Sequence, residues 1–297
     1  MSRSKIINVT INPAPRSMNM KTRYAFAAIV SATLMAACSN NPAAPGGAAS
    51  AGALAINNGA PTGGGNYRSV GALLYDFDQN GIINGDDELC TGSLISATVV
   101  LTAGHCLSFL PAGSQLHVSF APDLYAPGIT TIAATGFAID PRYGHDQADP
   151  IDVGVVMLPA GSTSGLTPLS LPPAGLLDNL TSKNGLNRQD FVNVGYGVDA
   201  TRTGRPAFYY DGQRRISTSP FKSLQPAWLS LQMNEAATGK GGDCYGDSGG
   251  PKFIAGNTSM IVATVSWGDL PCRSLSKNYR LDIQSARTFL GRFVVVP

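Results

Sequence analysis

From Ile56 onward the chain breaks into short runs of apolar and β-branched residues, each bounded by Gly, Pro, Asn or Asp. VGALLYDF, TGSLISATVVLTA, LHVSF, TTIAATGFAI, VGVVML, DFVNVGYG, WLSLQM, PKFIA and SMIVATVSW are the clearest. They are too short for helices and rich in side chains that suit a pleated, half-buried surface, so they predict strands. One segment differs. The tail DIQSARTFLGRF places Ile283, Ala286, Phe289, Leu290 and Phe293 at helical spacing, which predicts an amphipathic helix with those five on one face. A Pro/Gly-rich stretch, LSLPPAGLLDNLTSKNGL, divides the strand-rich part into two halves of comparable size. The pattern is all-β with one C-terminal helix.

The first 55 residues follow another logic. KTRYAFAAIVSATLMAAC carries two positive charges and then an apolar run. At about 14 residues that run is shorter than the roughly 20 a membrane span needs, and it fits a signal peptide. Leu34-Met35-Ala36-Ala37-Cys38 resembles a bacterial lipobox, whose cysteine is lipidated and becomes the mature N-terminus; the other reading is an ordinary signal peptide cut after an alanine. Met18 or Met20 is then the natural start, and Ser39 after the cysteine resembles lipoproteins sorted to the outer membrane. Residues 39–55, SNNPAAPGGAASAGALA, read as a flexible tether or propeptide ahead of a folded domain at 56–297. Charged residues make up 13% of the chain against Gly 34 and Pro 20, a balance that suits a loop-rich exported protein. A net charge of +2 and the lack of a basic stripe give no case for nucleic acid. Membrane contact is expected through the N-terminal lipid only, on a monomer at the cell surface or released from it.

The chemistry centres on GGDCYGDSGGP, Gly241 to Pro251. Ser248 there is either a turn residue or a nucleophile, and a nucleophile needs a base, an orienting acid and oxyanion donors. The chain has three histidines. His105 closes the strand run SLISATVVLTAGHC, His117 lies within LHVSF as a half-exposed strand residue, and His145 sits in the loop PRYGHDQADP. Asp152 heads the apolar run in ADPIDVGVVMLP, with Asp146 and Asp149 as competitors. A carboxylate carried inside by that run must be hydrogen-bonded. GDSGG also satisfies the G-x-S-x-G of α/β-hydrolases, but that fold needs a helix and a later histidine, and here a strand-like run and no histidine follow Ser248.

TAGHC, DVGV and GDSGGP, in that order, resemble the chymotrypsin/trypsin family of serine endopeptidases. The likeness runs from Ile56 to Phe293 and includes GSLIS, VSWG and the terminal helix. It implies two antiparallel six-stranded β-barrels with a triad at their junction: His105 as general base, Asp152 as its orienting acid, Ser248 as nucleophile. It implies an oxyanion site from the N–H groups of Gly246 and Ser248, and a substrate pocket from Gly242, Asp243, Ser266 and Gly268, with Ser266 bonded to the buried acid. It pairs Cys90 with Cys106 and Cys244 with Cys272, leaving Cys38 of five cysteines for lipid. Substrates would be proteins or peptides, cleaved without a cofactor; the rival is a catalytically silent module for surface adhesion. Trypsin-like members carry Asp where this chain has Gly242. Asp243 follows and tips the expectation slightly towards basic substrates, unless Lys277 in CRSLSKNY neutralises it. Ile56-Asn57-Asn58-Gly59 resembles the start of activated members, whose freed ammonium pairs with the aspartate here numbered Asp247, although Ala55 stands where Arg or Lys is common.

DFDQNGIINGDD, Asp76 to Asp87, places Asp76, Asp78, Asn80 and Gly81 as an EF-hand would. Asp87 replaces the closing Glu and the flanks read as strands, so the expectation is a long hairpin and no metal.

Overall fold

The computed structural model describes residues 56, 58–200, 205 and 207–297. The expected signal region 1–38, Cys38 and the tether 39–55 lie outside the described residues.

The predicted strand runs are strands. A short β1 (Ala60–Pro61) leads into β2 (Val70–Leu74), β3 (Glu88–Ser96), β4 (Val99–Thr102) and β5 (His117–Ser119). β6 (Ile132–Ala133), β7 (Gly136–Ile139) and β8 (Gly154–Met157) complete the first half. Seven of these form one curled antiparallel sheet in the order β6-β5-β2-β3-β4-β8-β7. β9 (Asp190–Gly195), β10 (Asp199–Ala200), β11 (Phe208–Tyr209) and β12 (Arg215–Leu224) open the second half. β13 (Trp228–Gln232), β14 (Pro251–Ile254), β15 (Asn257–Gly268) and β16 (Leu275–Arg280) follow. β12-β13-β16-β15-β14-β9 closes on itself through the β12–β9 pairing, giving a six-stranded barrel with β1 laid against β12. The all-β expectation holds, with one closed barrel and one curled half-barrel.

Among the described residues four short α-helices punctuate the strands: α1 (His105–Ser108), α2 (Leu176–Ser182), α3 (Glu235–Thr238) and α4 (Gln284–Leu290). α4 is the predicted tail helix, and its Ala286, Phe289 and Leu290 are buried as the periodicity requires. They join one core with Val70, Leu101, Val153 and Val155 of the first half and Val194, Phe253 and Tyr279 of the barrel. Burial of such side chains, at roughly 25 cal/mol per Å2 of apolar surface, is what holds the two halves together. Arg214, 1% exposed, adds a polar stitch: its guanidinium donates to the Val70 and Phe120 carbonyls of the first half and to Thr62 Oγ1 beside the barrel.

Candidate active site

The seam between the two sheets collects the residues singled out above. β4 runs out at Thr102, and after Ala103 and Gly104 the chain turns into α1 with His105 first. The Cys90–Cys106 disulfide ties that turn back to β3, with Cα atoms 6.3 Å apart. Gly104 must be small, because a Cβ there would lie 3.0 Å from the Tyr143 ring and 3.3 Å from Asp152 Oδ1. The approach lets Asp152, 4% exposed, reach both ends of His105. The His105 backbone N–H donates to Oδ1 at 2.8 Å, and Nδ1 lies 2.9 Å from Oδ2. The Ser266 hydroxyl, from β15 in the barrel, donates to Oδ2 as well. Burial works to raise the Asp152 carboxyl, but the hydrogen bonds and charge of His105 and the Ser266 hydroxyl outweigh it and hold the group below the ordinary aspartate range.

Ser248 and His105 both line one cavity of about 300 Å3, with no hydrogen bond between them. The loop carrying it is pinned by backbone. Gly246 and Gly249 sit at φ 94° and 79°, conformations that disfavour any side chain. A Cβ on Gly249 would lie 2.1 Å from Thr102 Oγ1. Thr91 Oγ1 donates to the Gly246 carbonyl at 3.0 Å and the Thr91 N–H to the Ser248 carbonyl at 2.9 Å. Asp247 accepts from the Gly197 and Cys244 N–H groups, each at 2.9 Å. Among the described residues, the N–H groups of Gly246 and Ser248 donate to no protein atom. Gly246 does not line the cavity shared by Ser248 and His105; it lines a neighbouring pocket with Glu88, Tyr210 and Tyr245.

Two groups here escaped sequence reasoning. Glu88, at the head of β3, turns its carboxyl towards Gly246, and its Oε1 is buried without a hydrogen-bond partner. Burial, with the nearby Asp247 charge, pushes this carboxyl well above the ordinary range; burial likewise pushes Asp247 up to about 8. Lys252, in β14, is fully buried and its ammonium donates to Asp243 Oδ1, while Ser276 Oγ donates to Oδ2 at 2.6 Å. Lys277, the alternative partner for Asp243, donates instead to Gln225 Oε1 at 2.8 Å, and it is Lys252 that pairs with Asp243. β16 pairs antiparallel with β13, so alternate side chains face opposite ways and Lys277 points off the pocket. Asp243, Ser266 and Gly268 line the cavity; Gly242 stands behind Met233, where a Cβ would fall 2.2 Å from Met233 Cγ. The second disulfide, Cys244–Cys272, braces the same wall with Cα atoms 5.3 Å apart.

The competitors are placed elsewhere. Asp149 accepts from the Tyr279 hydroxyl at 2.5 Å and Asp146 from the Ala148 N–H at 2.8 Å. His145 is exposed, and His117 sits half-buried on β5 as expected. The carboxylates of Asp76, Asp78 and Asp87 gather within 4.8 Å of one another in the β2–β3 connection. Strands rather than helices flank that loop, and Asp76 accepts from the Asn80 and Gly81 N–H groups at 3.1 and 3.0 Å.

A closed β-barrel packed on a curled sheet, with a histidine–aspartate pair and a serine loop at the seam, defines the trypsin-like serine protease fold. The family model described as Trypsin matches residues 75–287, and the chain belongs to that family. Trypsin beta of Drosophila erecta is 27% identical over 185 residues, covering 60% of this chain and 68% of that protein. Vitamin K-dependent protein C of Rattus norvegicus is 30% identical over 195 residues, covering 61% of this chain but only 40% of that protein. Among solved structures, human heparin binding protein superposes with a TM-score of 0.56 at 19% identity, over 80% of this chain and 96% of that one. At that identity the likeness concerns the fold alone.

Proposed function

We propose that this protein is a serine endopeptidase working through an acyl-enzyme. The observation that supports this most is a histidine held by a buried carboxylate and lining the same cavity as Ser248, whose own N–H and that of Gly246 donate to no described protein atom. His105 Nε2 takes the Ser248 proton as Oγ bonds to the scissile carbonyl carbon. The oxyanion that forms is met by the Gly246 and Ser248 N–H groups, each such donor contributing about 3 kcal/mol of transition-state stabilisation. Collapse breaks the C–N bond, and the amine leaves with the proton held by His105. Water then repeats the sequence, giving its proton to His105 and freeing Ser248. Asp152 keeps Nδ1 protonated and stabilises the imidazolium throughout.

Hydrolysis of chromogenic peptides by the wild type and by Ser248→Ala tests this. The account expects kcat to fall on the order of 10^6-fold in the variant. Equal turnover by both, or none by the folded wild type, contradicts it, and the second outcome favours a silent binding module. The two disulfides fit an oxidising compartment, hence export. Residues 1–38 are then the signal region and Cys38 the lipid-bearing residue, with 39–55 as tether to the domain at 56–297. Detergent-phase partition of the wild type, lost in Cys38→Ser, supports the anchor; a wholly soluble wild type with its N-terminus beyond Cys38 overturns it.

A further inference from the structure

Asp243 lines the same cavity as Ser248 and His105. An unpaired carboxylate there would draw a substrate guanidinium or ammonium through charge-assisted hydrogen bonds. This one is already engaged from behind. Lys252 Nζ donates to Oδ1 and Ser276 Oγ to Oδ2, and neither the lysine nor the aspartate side chain is more than 6% exposed. We infer that the Asp243–Lys252 pair makes the pocket floor net neutral, so that the side chain accepted at the cleavage position is uncharged and apolar, with Lys252 as the residue that sets the preference. As a statement about cleavage this rests on the serine endopeptidase reading; as a statement about what the pocket binds it does not.

The lysine cannot yield its place. β14 pairs with both β9 and β15 around it, Lys252 opposite Asn193 on one side and Ala263 on the other, so its stem is fixed in the barrel interior. A substrate cation that captured Asp243 would leave an ammonium buried without a partner, which costs far more than the new contact returns. The other acid at the cavity, Asp269, is also committed: its carboxylate accepts the backbone N–H groups of Arg273, Ser274 and Leu275 at 2.9, 2.9 and 2.7 Å. The walls between these acids are Met233, Val265, Trp267 and the Cys244–Cys272 disulfide. About 300 Å3 of space lies against them, at the small end of the range for ligand pockets, suited to an aromatic or long aliphatic side chain.

The test uses the full chain and two readouts. The first is kcat/KM for matched chromogenic peptides ending in Phe, Leu, Arg or Lys. The second is calorimetric binding of benzamidine against its neutral isostere benzamide, which needs no catalysis. The wild type should favour Phe or Leu over Arg by at least about tenfold, or 1.4 kcal/mol, and should bind benzamidine no better than benzamide. Lys252→Met frees the carboxylate and should shift the Arg-to-Phe ratio, and the benzamidine affinity, upward by about tenfold or more. Lys252→Met with Asp243→Asn removes both charges and should restore the wild-type pattern, a reversal that mere loss of packing cannot produce. A wild type that prefers Arg, or that binds benzamidine as tightly as Lys252→Met does, overturns the inference. If Lys252→Met does not fold, the wild type and the double variant decide: tenfold tighter benzamidine than benzamide in the wild type overturns it. If no peptide is cleaved, the peptidase reading fails while benzamidine binding still tests the pocket.

Discussion

At the scale of single residues, the site is a contest between desolvation and hydrogen bonding. Asp152 is nearly inaccessible, yet three donors keep it ionised. Its lowered carboxyl contributes stability that is present above the unfolded value of about 3.9 and is lost as pH falls through the lower native value. Replacing it with Asn keeps the shape but reverses the His105 tautomer, so kcat should drop by about 10^4-fold with KM little changed. Unchanged turnover in Asp152→Asn, measured with the same peptides, would remove the aspartate from the mechanism. His105, Asp152 and Ser248 were legible because each sits in a short motif whose neighbours also have work to do. Lys252 was not. PKFIA reads as an ordinary strand, and nothing local tells that barrel closure will turn its one cation inward against Asp243.

At the scale of elements, runs with clean apolar patterning became strands where expected, and two segments did not follow. β12 was missed because RISTSPFKSL mixes polar residues with Pro220, although it pairs with β9 along six positions and closes the barrel. The stretch read as a divider holds α2, whose Leu177 packs into the barrel core. Beside the loop that carries Ser248 comes a third surprise: half-buried Glu88 of β3 lies near the buried Asp247. Both carboxyls are raised above the ordinary range, chiefly by burial, while those of the unfolded chain lose their protons within that range. The folded state therefore binds more protons, and stability falls as pH rises from the ordinary carboxylate range to about 8, where the loss is complete for Asp247. Between about pH 5 and 8 the wild-type Tm should decline, and Glu88→Gln should flatten that decline. Parallel curves for the two proteins would show that Glu88 does not titrate there.

At the scale of the whole molecule, Ile56 stands apart as a fully buried residue at the start of the domain. Its N–H lies 3.4 Å from the Gly197 carbonyl, and the Gly197 N–H donates to Asp247. A free ammonium at Ile56 would bring a further cation towards Asp247, and the energy of such a buried pair, roughly 3–5 kcal/mol when one partner is removed, is enough to steady the loop that carries Ser248. A form beginning at Ile56 should therefore cleave peptides at least about tenfold faster than one still carrying residues 39–55, a factor worth 1.4 kcal/mol. Equal activity of the two forms would exclude this switch. The central claim remains that Ser248 is a nucleophile armed by His105, and a fluorophosphonate probe reads it directly. Mass spectrometry of the labelled protein should place one adduct on Ser248, with labelling abolished in His105→Ala. A folded, mature protein that takes no label, or takes it equally well without His105, would contradict the account.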